Sequence, residues 1–143
     1  MENNKPEIHV AMVGAGGCGK TEILRRLQGY PFRAAYYPTG EETVTVEFPD
    51  YNFVVTEYSG RYYSQEVFKD VTAYLLVSTE RQADKRYADS VQALMPDNIP
   101  FAKIETKSDI SSRVAPPGTF VCSAKRFTGL TFAFNDIARQ IYE

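Results

Sequence analysis

Tryptophan is missing from this chain, histidine occurs once and cysteine twice, and each scarcity removes a class of chemistry. One imidazole and two distant thiols, His9, Cys18 and Cys122, are too few to build a four-coordinate structural zinc centre. Basic runs are lacking and the formal net charge is −2, so the electrostatic footprint of a nucleic-acid or anionic-membrane partner is missing. No apolar run approaches the about 20 residues that span a bilayer. Residues 1–6 are polar and hold no apolar stretch of a secretory leader. Glu2 excludes N-myristoylation, and Gln140, Ile141, Tyr142 and Glu143 offer no cysteine for prenylation. The expectation is an intracellular, cytoplasmic protein with no direct membrane anchor, and a nuclear location is compatible with it.

What is present fits one domain over residues 1–143. The chain is 43% hydrophobic and 24% charged, an ordinary balance for a globular protein long enough to bury a continuous core. Strand and helix patterns alternate, which predicts a mostly parallel sheet with helices on both faces. The apolar run over 8–13 reads as a central strand. Ile23, Leu24 and Leu27 share one helical face, and Gly29 with Pro31 ends that helix. Residues 43–48 alternate strictly, 49–52 form a turn and 53–58 a second strand, which predicts an antiparallel hairpin. A buried-type strand follows over 73–77. Tyr87, Val91, Leu94 and Met95 make a helical stripe stopped by Pro96, and 101–105 and 119–122 read as two further strands. Leu130, Ala133, Phe134, Ile137, Ala138 and Ile141 mark a closing amphipathic helix. Internal repeats, low-complexity stretches and linkers are lacking.

The most informative stretch runs Gly-Ala-Gly-Gly-Cys-Gly-Lys-Thr over 14–21. Its spacing is that of a phosphate-binding loop set between a strand and a helix. Glycines let the backbone wrap closely around a polyphosphate and aim N–H groups at its oxygens, and the following helix adds the positive end of its dipole. Lys20 reaches terminal phosphates as a point charge, and the Thr21 hydroxyl suits Mg²⁺. A Cys18–Cys122 bridge would tie together two loops that must hold a ligand, so reduced thiols are expected.

Five motifs stand in sequence at strand ends, and through them the chain resembles the Ras superfamily of small GTPases over nearly its whole length. The first is the loop itself, with Gly14, Gly16, Gly17, Cys18, Gly19, Lys20 and Thr21. The second, Tyr36-Tyr37-Pro38-Thr39, is similar to the first switch, where Thr39 would offer its hydroxyl to Mg²⁺ and its N–H to the γ-phosphate; Phe32 upstream would lie against the guanine base. The third, Glu57-Tyr58-Ser59-Gly60, is similar to the second switch, with Gly60 giving an N–H to the γ-phosphate. The fourth, Thr106-Lys107-Ser108-Asp109, resembles the base-recognition motif. The fifth, Cys122-Ser123-Ala124-Lys125, resembles the Ser-Ala-Lys motif, whose Ala124 N–H would bond the guanine oxygen. The chemistry of the fourth motif is selective. A carboxylate only accepts hydrogen bonds, and guanine shows Asp109 two donors where adenine shows an acceptor, a mismatch that rejects the wrong base strongly.

The resemblance implies an α/β P-loop NTPase G domain: a six-stranded, mostly parallel sheet with four or five helices. It implies GTP and GDP as ligands, Mg²⁺ held by Thr21, Thr39 and Glu57, and hydrolysis served by Lys20, Thr39, Gly60 and Arg61. Protein effectors or regulators would be reached through the switches. Asn98-Ile99-Pro100 leans toward the soluble Ran-like branch.

The chain also departs from the pattern. Glu57 stands where the family has an aspartate that approaches the metal through water, and its extra methylene must displace either backbone or metal water. Arg61 stands where most members have a water-orienting glutamine. Guanidinium has donors but no acceptor, so slow hydrolysis is expected; the alternative is an arginine finger supplied in cis. Residues 110–118 hold Pro116-Pro117-Gly118 where the family has a helix, which predicts an extended crossover and a less covered face on the last two strands, open to a partner. The stretch 61–71 is short, so little helix is expected in the second switch. Tyr30, Tyr36, Tyr37, Tyr58, Tyr62 and Tyr63 cluster around the switches, either as a protein-binding surface or as cover for the nucleotide and core.

Overall fold

The computed structural model describes residues 5–31, 43–59, 63–106, 119–126 and 129–142. The elements follow in the order β1 (Glu7–Gly14), α1 (Lys20–Leu27), β2 (Thr43–Glu47), β3 (Asn52–Ser59), a 3₁₀ turn (Gln65–Phe68), β4 (Tyr74–Ser78), α2 (Gln82–Gln92), β5 (Phe101–Glu105), β6 (Thr119–Val121) and α3 (Phe132–Tyr142). Six strands form one sheet in the order β2-β3-β1-β4-β5-β6. β1 lies between β3 and β4 and is parallel to both, and only the β2–β3 hairpin is antiparallel. The chain thus works outward from β1 on one side and then on the other. In such a sheet the crevice for a ligand lies beyond the carboxyl end of the strand where the order reverses.

Period-two patterning loads both faces. Ile8, Val10 and Met12 of β1, Phe53 and Val55 of β3, and Leu75 and Val77 of β4 point into one core, sealed by Ile23 and Leu24 of α1 and by Ala133, Phe134, Ile137 and Ala138 of α3. The alternate residues Ala11, Val13, Tyr74 and Leu76 form the opposite core with Phe68, Val91 and Met95. A strand buried on both faces reads as a continuous apolar run, as 10–13 does, while His9 before it is exposed. Among the described residues, helix therefore covers both faces, with three α-helices and one 3₁₀ turn. The short stretch expected after the second switch contains that single turn, Gln65–Phe68.

Two helix boundaries differ from the periodic reading. α2 stops at Gln92, while Leu94 and Met95 lie in the turn behind it. Leu94 N–H donates to Val91 O (2.9 Å) and Met95 N–H to Gln92 O (3.1 Å), so the chain tightens before Pro96, which disfavours α conformation in the residue preceding it. α3 begins at Phe132, not at Leu130. Gly129 is left-handed (φ 69°), and a Cβ there would lie 2.4 Å from Val121 O. Leu130 is nevertheless buried beneath the helix. The crossover 107–118, where no helix was expected, lies outside the described residues.

Phe134 is the keystone of α3. It is wholly buried and packs edge-on against Phe53 at 5.0 Å between ring centroids, while Phe53 meets Phe48 edge-on at 5.0 Å. Such pairs add about 0.5–1.5 kcal/mol beyond area burial. Phe134→Ala is expected to cost about 3–5 kcal/mol, read as a lowered urea midpoint with an unchanged slope; a loss below about 1 kcal/mol would show that α3 is not held by this ring.

Candidate functional site

The loop after β1 begins at a point of contact so close that a side chain is excluded. A Cβ on Gly14 would lie 2.4 Å from Val77 O and 2.8 Å from Cys18 Sγ. The loop then turns through Gly17 (φ 80°) and Gly19 (φ 102°), left-handed conformations that favour glycine. Gly19 caps α1, and Gly16 stands exposed at the loop's crest. The α1 amino end, with the positive pole of its dipole, faces this turn.

Lys20 is 3% exposed. Its Nζ donates to Gly14 O and Ala15 O, both at 2.9 Å, and lies 3.6 Å from Cys18 Sγ. The loop is therefore curled around an ammonium bonded to the loop's own carbonyls. Cys18 is buried, with Sγ 3.7 Å from Val77 O. Burial pushes its thiol up against the opposing pull of Lys20, and burial pushes Cys122 up to about 12. Both cysteines are free, buried thiols, so Cys18 is a small filler under the loop.

Beside the loop, Thr21 Oγ1 donates to Glu57 Oε1 at 2.6 Å, and Glu57 is 3% exposed. β3 keeps an unbroken register with β1 through Met12↔Glu57 and Val13↔Tyr58. The strand carries no bulge at Glu57. Among the described residues no cluster of three or more His, Cys, Asp and Glu could hold a metal; the hard-oxygen pair Thr21–Glu57 is the arrangement present.

At the end of β5, Thr106 turns back on the loop. Its Oγ1 donates to Cys18 O at 2.5 Å, and its N–H donates to Ser78 O at 2.8 Å. Thr106, expected beside the nucleotide, uses its hydroxyl on the loop's own carbonyl. Ser123 acts likewise. It is fully buried and its Oγ accepts the Arg126 N–H at 3.1 Å, closing the turn after β6. The carbonyl of Ala124 accepts from Arg26 Nε at 2.8 Å, and Lys125 is exposed. The structure thus brings together Gly14, Gly17, Cys18, Gly19, Lys20, Thr21, Glu57 and Thr106, with Ser123 and Ala124 linked to them through α1. Phe32, Tyr36, Tyr37, Thr39, Gly60, Arg61, Tyr62, Lys107, Ser108 and Asp109 lie outside the described residues.

Three features escape sequence reasoning. Arg26 braces Ala124 from 98 positions away. Lys85 Nζ pairs with the buried Glu105 Oε1 at 2.8 Å. Thr79 Oγ1 donates to Asp84 Oδ2 at 2.6 Å and accepts the Arg81 N–H at 3.1 Å. Only the basic residues in the last turn of α1 hint at the first of these. The tyrosines divide: Tyr58 and Tyr63 pack edge-on against Phe68 at 5.1 and 5.3 Å and cover the core. Tyr30 is half exposed under the Arg25 guanidinium, 4.8 Å from its ring centroid. The concavity of about 320 Å³ lined by His9, Val54, Thr56 and Asp70 shares no residue with the loop.

No protein-family model matches the chain, and no curated protein matches it in sequence.

Thr106→Val keeps the volume and withdraws the hydroxyl from buried Cys18 O. It is expected to cost about 1–3 kcal/mol in urea unfolding, and Thr106→Ser less. Equal losses in the two variants would contradict the hydrogen-bonded tie.

Proposed function

We propose that this protein binds GTP and GDP with Mg²⁺ and acts as a small GTPase switch of the Ras superfamily type, hydrolysing GTP slowly. The observation that carries the reading is the contact between Thr106 and the carbonyl of Cys18. It ties the first residue of the expected base-recognition motif to a glycine loop already curled around a buried ammonium. One end of the crevice then suits phosphate oxygens. The other would be read by Asp109, whose acceptor-only carboxylate matches the two donors of guanine.

The donor set fits the metal. Thr21 and Glu57 supply two hard oxygens 2.6 Å apart, the ligand type that Mg²⁺ takes, and Thr39 would add a third. When bound, Mg²⁺ supplies neutralisation of phosphate charge. The chain supplies the rest: Lys20 and the backbone N–H groups of 16–19 and Gly60 stabilise charge that develops on the γ-phosphate as water attacks in line. Arg61 cannot accept a proton from that water, which keeps hydrolysis slow. Proteins that read the nucleotide state would contact the switch regions.

Arg61 and Glu57 also favour a second reading, a protein-binding module that holds GTP without turning it over. Denaturing the purified protein and identifying the released nucleotide, followed by single-turnover hydrolysis, separates the two. Bound GDP, a slow wild type and a faster Arg61→Gln variant, by on the order of tenfold (about 1.4 kcal/mol of barrier), are expected. A slower variant would make Arg61 a finger in cis, GTP persisting for days would favour the module, and failure to bind any guanine nucleotide would contradict both readings.

A further inference from the structure

We infer that Arg26 is a positioning residue for the base-reading loop and sets how strongly the 6-oxo group of guanine is recognised; this rests on the guanine-binding reading above. Arg26 sits in the last turn of α1. Its Nε donates to Ala124 O at 2.8 Å, and a terminal guanidinium nitrogen lies 3.4 Å from Tyr30 O. A charge-assisted N–H···O bond of that length is among the stronger ones a surface arginine makes.

Ala124 is held on both sides. Before it, Cys122 N–H donates to Glu105 O at 3.0 Å, and the buried Ser123 hydroxyl closes the turn onto Arg126 N–H. After it, the peptide carbonyl is fixed by Arg26. The residue whose N–H would meet the guanine oxygen therefore has little freedom to swing. A hydrogen bond weakens steeply as its angle and distance depart from ideal, so a donor held in place before the ligand arrives binds more tightly than one that must be ordered by it.

α1 makes this brace more than local. Its first turn carries Lys20 and Thr21 at the phosphate loop, and its last turn carries Arg26. One helix of eight residues, about 12 Å long, thus fixes the separation between the phosphate end and the base-reading end of the crevice. An arginine that only stabilised the fold would weaken every nucleotide alike. An arginine that positions Ala124 affects the contact with the 6-oxo group in particular.

The test compares GDP with 6-thio-GDP, which keeps both donors that Asp109 would accept and replaces the 6-oxo oxygen with a weaker, larger acceptor. Dissociation constants are measured for the wild type, for Arg26→Met, which keeps the apolar stem without a donor, and for Arg26→Gln. The Gln amide nitrogen occupies the place along the side chain that Nε holds in arginine. The wild type is expected to prefer GDP by about five- to tenfold, one hydrogen bond's worth. Arg26→Met is expected to bring that ratio close to one, and Arg26→Gln to restore it. An unchanged ratio in Arg26→Met, with both nucleotides weakened equally, would overturn the inference and leave the guanine site standing. A wild type that takes up neither nucleotide would overturn the guanine site itself, and the inference with it.

Discussion

The end of β1 runs so close to β4 that the backbone oxygen of Val77 occupies the space a side chain on Gly14 would need. That contact fixes where the chain must leave the sheet. From there it can only rise into a tight loop, and the left-handed turns at Gly17 and Gly19 carry it round into α1. The loop is stabilised from inside by the Lys20 ammonium on Gly14 and Ala15 carbonyls and from outside by the Thr106 hydroxyl on Cys18. Every other part of the site takes its position from this frame.

The buried polar side chains make the same point energetically. Lys20, Glu57, Thr79, Glu105, Thr106 and Ser123 are the buried polar and charged residues among those described. Burying such groups is costly unless they are hydrogen-bonded, and each has a partner: loop carbonyls for Lys20, Thr21 for Glu57, Asp84 for Thr79, Lys85 for Glu105, Cys18 O for Thr106 and the Arg126 N–H for Ser123. They gather around the carboxyl ends of β1, β3, β4, β5 and β6, whereas the middle of the sheet is apolar on both faces. A fold gains little stability from ion pairs in such a place. Their concentration at one edge is what a binding crevice requires.

Much of this was legible in the sequence. Continuous apolar runs gave the central strands, strict alternation over 43–48 gave the hairpin, and the stripe ending at Ile141 gave α3, because burial on one or two faces imposes those periods. The loop 14–21 was legible because its conformations admit few residues other than glycine. Helix ends were less so: at Leu94 and Leu130 an apolar residue is buried from a turn, and periodicity cannot tell that from burial in a helix. Least legible were the braces. Arg26 to Ala124 and Lys85 to Glu105 join residues far apart in the chain, and no local pattern encodes such a pairing. The hydroxyls of Thr106 and Ser123 bond the protein's own backbone, ties that no local pattern announces.

The proposed function requires a phosphate cradle and a guanine-reading carboxylate to act on one ligand. Calorimetric titration of the protein with GDP and with ADP, each with magnesium, tests it most directly. Saturable uptake of GDP with a preference over ADP of at least about a hundredfold is expected, since a site built to hydrogen-bond its ligand rejects the mismatched one strongly. Equal affinity for the two, or heat from neither, would contradict it.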